Sequence, residues 1–100
     1  MTTKALYVHL KAKPGKERDL EEFLKAAAPI VQGEPDTVAW FAIKMGDAEF
    51  AIFDAFPSDA GRDAHLQGDV AAALMQKADE LLAEAPAIHR IDVLADKLPG

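Results

Sequence analysis

The amino-acid sequence predicts an α+β domain built on a four-stranded antiparallel sheet. Four segments alternate apolar and polar residues with the period of two that is typical of strands. Two regions between them place apolar residues at the three- and four-residue spacings of amphipathic helices. The resulting order, β-α-β-β-α-β, is the ferredoxin-like arrangement. Right-handed crossovers then put both helical regions on one face of the sheet.

The first strand and the first helix are predicted from the N-terminal third of the chain. Alternation over residues 6–12 indicates a strand, and a turn containing proline and glycine follows at residues 13–16. Apolar residues at positions i, i+3, i+4 and i+7 indicate a helix over residues 17–29. Pro29 is expected to end this helix because proline lacks the backbone N–H that the next turn requires.

The middle of the chain predicts a hairpin. Residues 37–45 and 50–56 both read as strands, and the short Gly46-Asp47 connection suits a tight turn between them. Pro57 ends the second of these strands because it cannot donate a ladder hydrogen bond. Side chains two apart in a strand share a face, so Asp54 shares one with Phe56.

The second helical region is predicted as two helices separated by Gly68. Ser58 is a suitable N-cap for the first of them, over residues 58–66. A longer helix follows over residues 69–83 and ends before Pro86. Alternation resumes over residues 87–95 and predicts the fourth strand.

The hairpin strands are apolar on both faces, which a monomer would not explain. In the first of them Trp40 lies on one face, while Phe41 and Ile43 lie on the other. Helices cover one face only, so the second would expose several hundred Å² of apolar surface, more than soluble monomers usually tolerate. A second copy packed sheet to sheet removes that exposure through a two-fold contact. We therefore expect a homodimer.

Composition excludes several classes of function. One hundred residues form one domain, residues 1–100, and the net charge of −6 argues against nucleic acid and anionic membrane surfaces. The absence of cysteine removes disulfides, thiol catalysis and thiolate metal sites. No apolar run approaches the roughly 20 residues that span a bilayer, and no signal segment opens the chain. We expect a soluble, cytoplasmic protein.

Three short motifs carry a resemblance to a known family. They are AKPGKE at residues 12–17, EPDT at residues 34–37 and, the strongest, DAFPSDAGRDAH at residues 54–65. With these motifs the chain resembles the antibiotic biosynthesis monooxygenase superfamily over nearly its whole length. The resemblance implies a ferredoxin-like fold that pairs into a dimeric α/β barrel. It also implies a ligand cavity between sheet and helices in each subunit.

The resemblance implies a choice among several activities. The superfamily includes cofactor-independent quinol and anthrone oxygenases, haem-degrading enzymes, and members without a known substrate. Its haem-degrading branch uses an asparagine on the first strand, a tryptophan on the third and a histidine on the long helix. This chain has no asparagine, has Phe56 on the third strand, and has no histidine between Leu66 and Ile88. We therefore expect no haem, no other cofactor and no metal.

The function expected from the resemblance is a cofactor-independent monooxygenase that oxidises a quinol or polycyclic aromatic substrate with O₂. The alternative is a non-catalytic dimer on the same fold that binds a small ligand or is purely structural. The predicted walls of the substrate pocket are the aromatic residues of the hairpin strands: Trp40, Phe41, Phe50 and Phe56. A structural dimer would have the same space filled by side chains.

The predicted catalytic residues are His65, Asp54 and Arg62. An imidazole titrates near neutral pH, so His65 is expected to transfer a proton or orient a phenolate, with Asp54 or Arg62 setting its tautomer. The alternative for His65 is a helix-end histidine that caps carbonyls or bonds to a buried partner. The alternative for Asp54 is a structural anchor paired with Arg62 or His65.

The other two histidines are expected away from this site. His9 shares a strand face with Tyr7, and both are expected either on the dimer face or in solvent. His89 alternates with apolar residues of the fourth strand and is expected at the same interface. Histidines scattered in this way, without paired spacing, do not indicate a metal site.

Overall fold

The fold is described for residues 2–99 by a computed structural model. Its strands and helices follow the predicted order, with the second helical region divided in two. They are β1 (Lys4–Lys11), α1 (Glu17–Gln32), β2 (Ala39–Lys44), β3 (Glu49–Phe56), α2 (Asp59–Leu66), α3 (Asp69–Leu81) and β4 (Ala87–Asp92). The ferredoxin-like fold class predicted from the sequence is confirmed.

The four strands form one antiparallel sheet in the order β2-β3-β1-β4. The register pairs Asp54 of β3 with Leu6 of β1 on one side and with Trp40 of β2 on the other. Paired residues lie on the same face of a sheet. These three side chains therefore all point towards the helices.

The core lies between this face of the sheet and the helices. Alternate residues of β1 and β3 are buried there, against leucines from α1 and α3. The largest of the fully buried side chains are Phe50, Phe56, Leu6, Leu10 and Leu20. A single polar side chain, Asp54, appears in the same group at 1% exposure. This carboxylate is therefore in the core itself.

The prediction that Pro29 ends the first helix is wrong. Helix α1 continues through Pro29 to Gln32. A proline there removes one backbone hydrogen bond, but the last turn carries Val31, which is buried with Ala27 of α1 and Val70 of α3. Burial of that apolar side chain holds the turn in place because it outweighs one missing bond.

The ends of α3 and β4 also differ from the prediction. Helix α3 stops at Leu81 because Leu82 has an extended backbone and forms an isolated bridge to Ala12. Strand β4 stops at Asp92, where its pairing partner Lys4 begins β1. Among residues 2–99, no helix is long and apolar enough to cross a bilayer.

The second face of the sheet carries no helix within the described chain. Large apolar side chains of β2 and the turn after it are exposed there: Phe41 by 54%, Ile43 by 39% and Met45 by 49%. Tyr7 and His89 lie on the same face with ring centroids 5.9 Å apart. The predicted two-faced character of β2 is therefore present in the fold.

Candidate functional site

The candidate site lies where β3 passes into α2. Pro57 ends the strand and Ser58 caps the helix, accepting a hydrogen bond from the backbone N–H of Gly61 at 3.3 Å. Helix α2 then runs back over the sheet. After two turns it places the ring of His65 above Asp54, which is on the helix-facing side of β3.

His65 lies between two carboxylates that contact opposite sides of its ring. Its Nε2 is 2.8 Å from Oδ2 of Asp54, and its Nδ1 is 2.6 Å from Oε1 of Glu34. The His65 side chain is 7% exposed, that of Asp54 is 1% exposed and that of Glu34 is 21% exposed. The ring of Phe56 packs against the imidazole with centroids 5.4 Å apart. The arrangement is a buried triad whose outer member reaches solvent.

Glu34 is the member of this triad that the sequence did not predict. It lies in the loop between α1 and β2, where its Oε1 also accepts a hydrogen bond from the hydroxyl of Thr37 at 2.7 Å. The EPDT motif containing both residues was recognised as one of the motifs that carry the family resemblance, with no role at the site. A glutamate in a polar loop has no periodic neighbours, so nothing in the sequence indicated that its side chain turns inward.

The pKa of both inner members is raised, that of Asp54 by burial and that of His65 by its carboxylate partners. Burial, together with the negative charge of Glu34, raises the pKa of Asp54 more than His65 lowers it. Burial lowers the pKa of His65, but the hydrogen bonds and charges of Asp54 and Glu34 outweigh it, so the net direction is upward. The Asp54–His65 pair therefore retains a proton to a higher pH than the isolated groups would.

The carboxylate of Asp54 has unused hydrogen-bonding capacity. Its Oδ2 is 2.8 Å from Nε2 of His65, whereas its Oδ1 is buried without a hydrogen-bond partner. A buried oxygen without a partner costs free energy, commonly about 1–3 kcal/mol. Such a group in a folded protein often marks a place where a ligand supplies the missing bond.

Asp54 faces a small apolar cavity. The cavity has a volume of about 100 Å³ and lies between the sheet and helices α2 and α3. Its polar members are Asp54 and His65, and the others are the aliphatic, methionine and alanine side chains of Leu6, Val8, Ile52, Leu66, Val70, Ala71, Leu74, Met75 and Ile88. Met75 and Ile88 are 59% and 47% exposed, so they form the mouth.

A second, more polar cleft lies on the other side of His65. Its volume is about 310 Å³, and it is formed by the end of α1, the loop after it and the beginning of α3. Glu34, Asp36 and Asp69 line it together with His65. His65 therefore contributes to the walls of both cavities.

Arg62 forms no hydrogen bond to His65, which corrects the expectation that it could set the tautomer of that ring. Its Nη1 donates to the backbone carbonyls of Ala5 and Ile91, at 3.3 and 3.1 Å, and its Nη2 bonds to Asp59 at 3.0 Å. Arg62 thus joins α2 to β1 and to β4. It positions the helix that carries His65.

The four predicted aromatic residues do not form one pocket wall. Phe41 points to the opposite face of the sheet from Trp40, because neighbours in a strand alternate. Phe50 is on the same strand as Phe56 and is buried in the core. It lines a separate groove near Lys44. None of the four is among the residues that line the cavity beside Asp54. The cavity walls are aliphatic instead.

Trp40 and Phe56 are nevertheless close to the site. Phe56 packs against His65. Trp40 pairs with Asp54 across the hairpin. It packs against the main core and also against the small cluster of Ala27, Val31 and Val70. The indole N–H of Trp40 is buried without a hydrogen-bond partner. In the part of the chain from 2 to 99, no group of three or more His, Asp or Glu side chains is arranged to hold a metal ion.

Comparison with solved structures identifies the family. A protein of unknown function from Nitrosomonas europaea is 51% identical to this chain, with a TM-score of 0.99 over 100% of this chain and 97% of that one. The chain belongs to that protein's family. No family model matches the chain, and no curated protein matches it.

Two further structures carry the provisional name of antibiotic biosynthesis monooxygenase. One, from Nitrosomonas europaea, is 15% identical over 92% of this chain and 90% of its own, with a TM-score of 0.81. The other, from Caulobacter crescentus, is 20% identical over 94% of this chain and 92% of its own, with a TM-score of 0.79. At these identities the similarity shows the shared fold. The resemblance found in the sequence is confirmed at that level.

Proposed function

We propose that this protein is a cofactor-independent monooxygenase that oxidises a quinol-type aromatic substrate with O₂ in the cavity beside Asp54. The observation that carries the proposal is the buried carboxylate of Asp54, which lies at an apolar cavity and whose Oδ1 has no hydrogen-bond partner. The fold shared with provisionally named monooxygenases supports the same reaction class.

The chemistry requires little from the protein beyond proton transfer and positioning. A quinol that loses a phenolic proton becomes electron-rich enough to reduce O₂ directly. One oxygen atom then enters the ring, the other leaves as water, and the substrate supplies all the electrons. An apolar cavity holds the ring in a fixed orientation and excludes water from the reacting atoms.

Asp54 is proposed as the group that receives the phenolic proton. Its raised pKa makes it a stronger base than an exposed aspartate when it is ionised. Nε2 of His65 is 2.8 Å from Oδ2 of Asp54. From that side, away from the ligand, His65 stabilises the charge on the carboxyl group during the transfer. This assignment gives Asp54 the role that the sequence had suggested for His65, because Glu34 and Asp54 already occupy both ring nitrogens.

The cavity volume favours a single aromatic ring over a polycyclic substrate. Drug-sized ligands occupy cavities of roughly 300–1,000 Å³, whereas an apolar cavity of about 150 Å³ suffices for benzene. The cavity beside Asp54, at about 100 Å³, is close to the smaller of these sizes. A polycyclic substrate would require displacement of Met75 at the mouth, which is 59% exposed.

A homodimer formed through the open sheet face is part of the proposal. The exposed side chains of Phe41, Ile43 and Met45 support it, since together they form an apolar surface that a second copy could cover. The same pairing would close the two sheets into the dimeric α/β barrel expected from the sequence.

The test is oxygen uptake with a panel of single-ring quinols and of anthrones. The wild-type protein is expected to consume O₂ with at least one single-ring quinol and to react more slowly with the anthrones. Asp54→Asn should lower turnover by about 10²–10⁴-fold, the usual contribution of a general base. Asp36→Asn is the matched control, since Asp36 is an exposed carboxylate that has no place in the apolar cavity. No uptake with any quinol would contradict the proposal.

The alternative, a non-catalytic dimer that binds a small ligand, has one observation in its favour. Both nitrogens of His65 are already engaged by carboxylates, as in a structural anchor. Under this alternative, a single-ring phenol would bind the cavity without oxygen uptake. NMR shift changes confined to the cavity residues, with no O₂ consumed, would identify it.

A further inference from the structure

The two ring nitrogens of His65 face different cavities, and this division carries an inference about proton movement. We propose that Asp54, His65 and Glu34 form a proton relay from the apolar cavity to the polar cleft, with Glu34 as its outer, solvent-exchanging member. The proposal rests on the proposed function, because it assumes a reaction that delivers a proton to Asp54.

The inner half of the relay is buried among apolar side chains. Asp54 is 1% exposed, and the side chains around it in the cavity are apolar apart from His65. A proton accepted there from a ligand that fills the cavity has no other polar side chain to go to. Its nearest acceptor is Nε2 of His65, 2.8 Å from Oδ2.

The outer half of the relay is open. Glu34 is 21% exposed and lines the polar cleft. The hydroxyl of Thr37 donates a hydrogen bond to its Oε1 at 2.7 Å and holds the carboxylate in place. The charged groups that contact the ring of His65 are Asp54 from β3 and Glu34 from the loop. Asp36 and Asp69 line the same cleft without contacting the ring.

The relay step balances without any co-reactant. The step starts from the neutral His65 ring protonated at Nδ1, and the O–H bond of protonated Asp54 breaks as an N–H bond forms at Nε2. At the same time the Nδ1–H bond breaks and an O–H bond forms at Glu34. The proton then leaves Glu34 for water in the cleft, and the reverse sequence returns a proton to Asp54 when the product must be protonated.

The energetics of the cluster agree with this geometry. The pKa of Asp54 is raised by burial and that of His65 is raised by its two carboxylate partners, so both groups hold a proton to a higher pH than they would in water. A structural ion pair alone would not require an opening to solvent on the Glu34 side.

The kinetic test uses chemical rescue. Glu34→Ala should lower kcat for the quinol by about 10–100-fold, less than the loss of a direct general base, with KM nearly unchanged because Glu34 is outside the apolar cavity. Sodium acetate should restore kcat in proportion to its concentration, because the anion can enter the cleft and accept the Nδ1 proton. Sodium chloride at equal ionic strength should not. Glu49→Gln should leave kcat unchanged, because Glu49 contacts His9 and lines neither the cavity nor the cleft.

A purely structural role for Glu34 predicts a different result. Its removal would then lower the thermal midpoint, and acetate would not restore kcat. An unchanged kcat in Glu34→Ala, or a lowered kcat that acetate does not restore, would overturn the relay while leaving the monooxygenase proposal intact.

A second measurement tests the relay without turnover. NMR titration of the ligand-free protein should show the ring nitrogens of His65 and the carboxyl carbon of Asp54 changing in one shared step. Glu34→Gln should move that step to lower pH. Glu49→Gln is the matched control, because Glu49 contacts His9 at 2.5 Å and should leave the His65 step in place.

The two proposals fail in different ways. If the wild-type protein consumes no O₂ with any quinol, the proposed function is wrong, and the titration alone decides the relay. A His65 step that Glu34→Gln leaves unmoved, or Asp54 and His65 titrating in separate steps, would overturn the relay in that case.

Discussion

At the scale of single residues, the chemistry of this protein depends on what surrounds His65. An exposed histidine is a weak base that solvent reaches from every side. Here the ring is 7% exposed and both nitrogens contact carboxylates, so its protonation state is tied to those of Asp54 and Glu34. When it is protonated, the ring offsets the negative charge of these two carboxylates. His65 is therefore expected to contribute both to the stability of the fold and to proton transfer.

Removal of His65 should destabilise the fold. His65→Ala leaves the buried carboxylate of Asp54 without its nearest partner, at a cost of about 1–3 kcal/mol in the free energy of unfolding. His9→Ala is the control: His9 pairs with Glu49, but both side chains are at least 31% exposed, so it should cost less. Urea denaturation measures both. Equal losses in the two variants would show that the triad has no special role in stability.

Stability should fall as the pH rises through the titration of the triad. The folded pKa of His65 is above its ordinary value of 6.5, so the folded protein keeps a proton that the unfolded chain loses. The contribution is complete below pH 6.5 and decreases above it, through the folded pKa. Asp54 acts in the same direction from its ordinary value of 3.8 upward.

Urea denaturation across this range checks the sign. The wild-type free energy of unfolding should decrease as the pH rises above 6.5, and His65→Gln should show a smaller decrease because the titrating ring is gone. A wild-type protein that becomes more stable with rising pH in this range would contradict the raised pKa of His65.

At the scale of elements, α2 determines whether the triad assembles. This helix has eight residues, Asp59–Leu66, too few to be stable alone. Ser58 caps its beginning, and Arg62 bonds to carbonyls of β1 and β4. Gly61 allows the loop that carries Glu34 to pack closely against it. The position of His65 is thus set by contacts outside its own sequence segment.

Gly61→Ala should be destabilising, although alanine favours helices. A Cβ at this position would lie 3.0 Å from the Cβ of Asp36 and 3.4 Å from its carbonyl oxygen. The loop would have to move away from α2, which costs about 1–3 kcal/mol as overpacking and lengthens the contact between Glu34 and His65. Thermal unfolding and the His65 titration should both change.

Gly46→Ala provides the control for this effect. A Cβ at Gly46 meets no atom closer than 3.9 Å, in the side chain of Glu49. Its free energy of unfolding should change by no more than an ordinary surface substitution does, about 0.5 kcal/mol, and its thermal midpoint should stay close to that of the wild type. If Gly61→Ala were as harmless as Gly46→Ala, the close packing of the loop on α2 would not matter for the site.

At the scale of the whole molecule, the open face of the sheet is an apolar surface that the helices of the chain leave uncovered. Helices cover the other face, while Phe41, Ile43 and Met45 are all at least 39% exposed on this one. Apolar side chains in one continuous patch are costly in water, and a second copy is the simplest cover for a face of this shape. The cavity beside Asp54 lies on the opposite side of the sheet.

Light scattering tests the dimer directly. At micromolar concentration the mass should be about twice the 10.8 kDa of one chain. Phe41→Glu should shift the protein towards the monomer, because it places a charge among the exposed apolar side chains of this face. Leu94→Glu is the control, since Leu94 is 97% exposed and lies outside the strands. A wild-type mass near that of one chain would refute the dimer.

The sequence by itself determined the element order and the face on which Asp54 lies. Both follow from local rules: alternation in β3 puts Asp54 and Phe56 on one face, and a serine after proline begins α2. Such rules depend only on neighbours in the chain. They therefore also predicted that Asp54 and His65 would lie near the same corner.

Only the tertiary structure determined the partners of the triad. Glu34 is 31 residues away from His65 in the chain, in a loop without periodicity, and the packing of that loop on Gly61 brings the two together. Arg62 bonds to backbone carbonyls, which every residue has and which no sequence pattern distinguishes. Pro29 stays helical because Val31 is buried. These outcomes depend on contacts between distant segments, and contacts of that kind form only when the whole chain is folded.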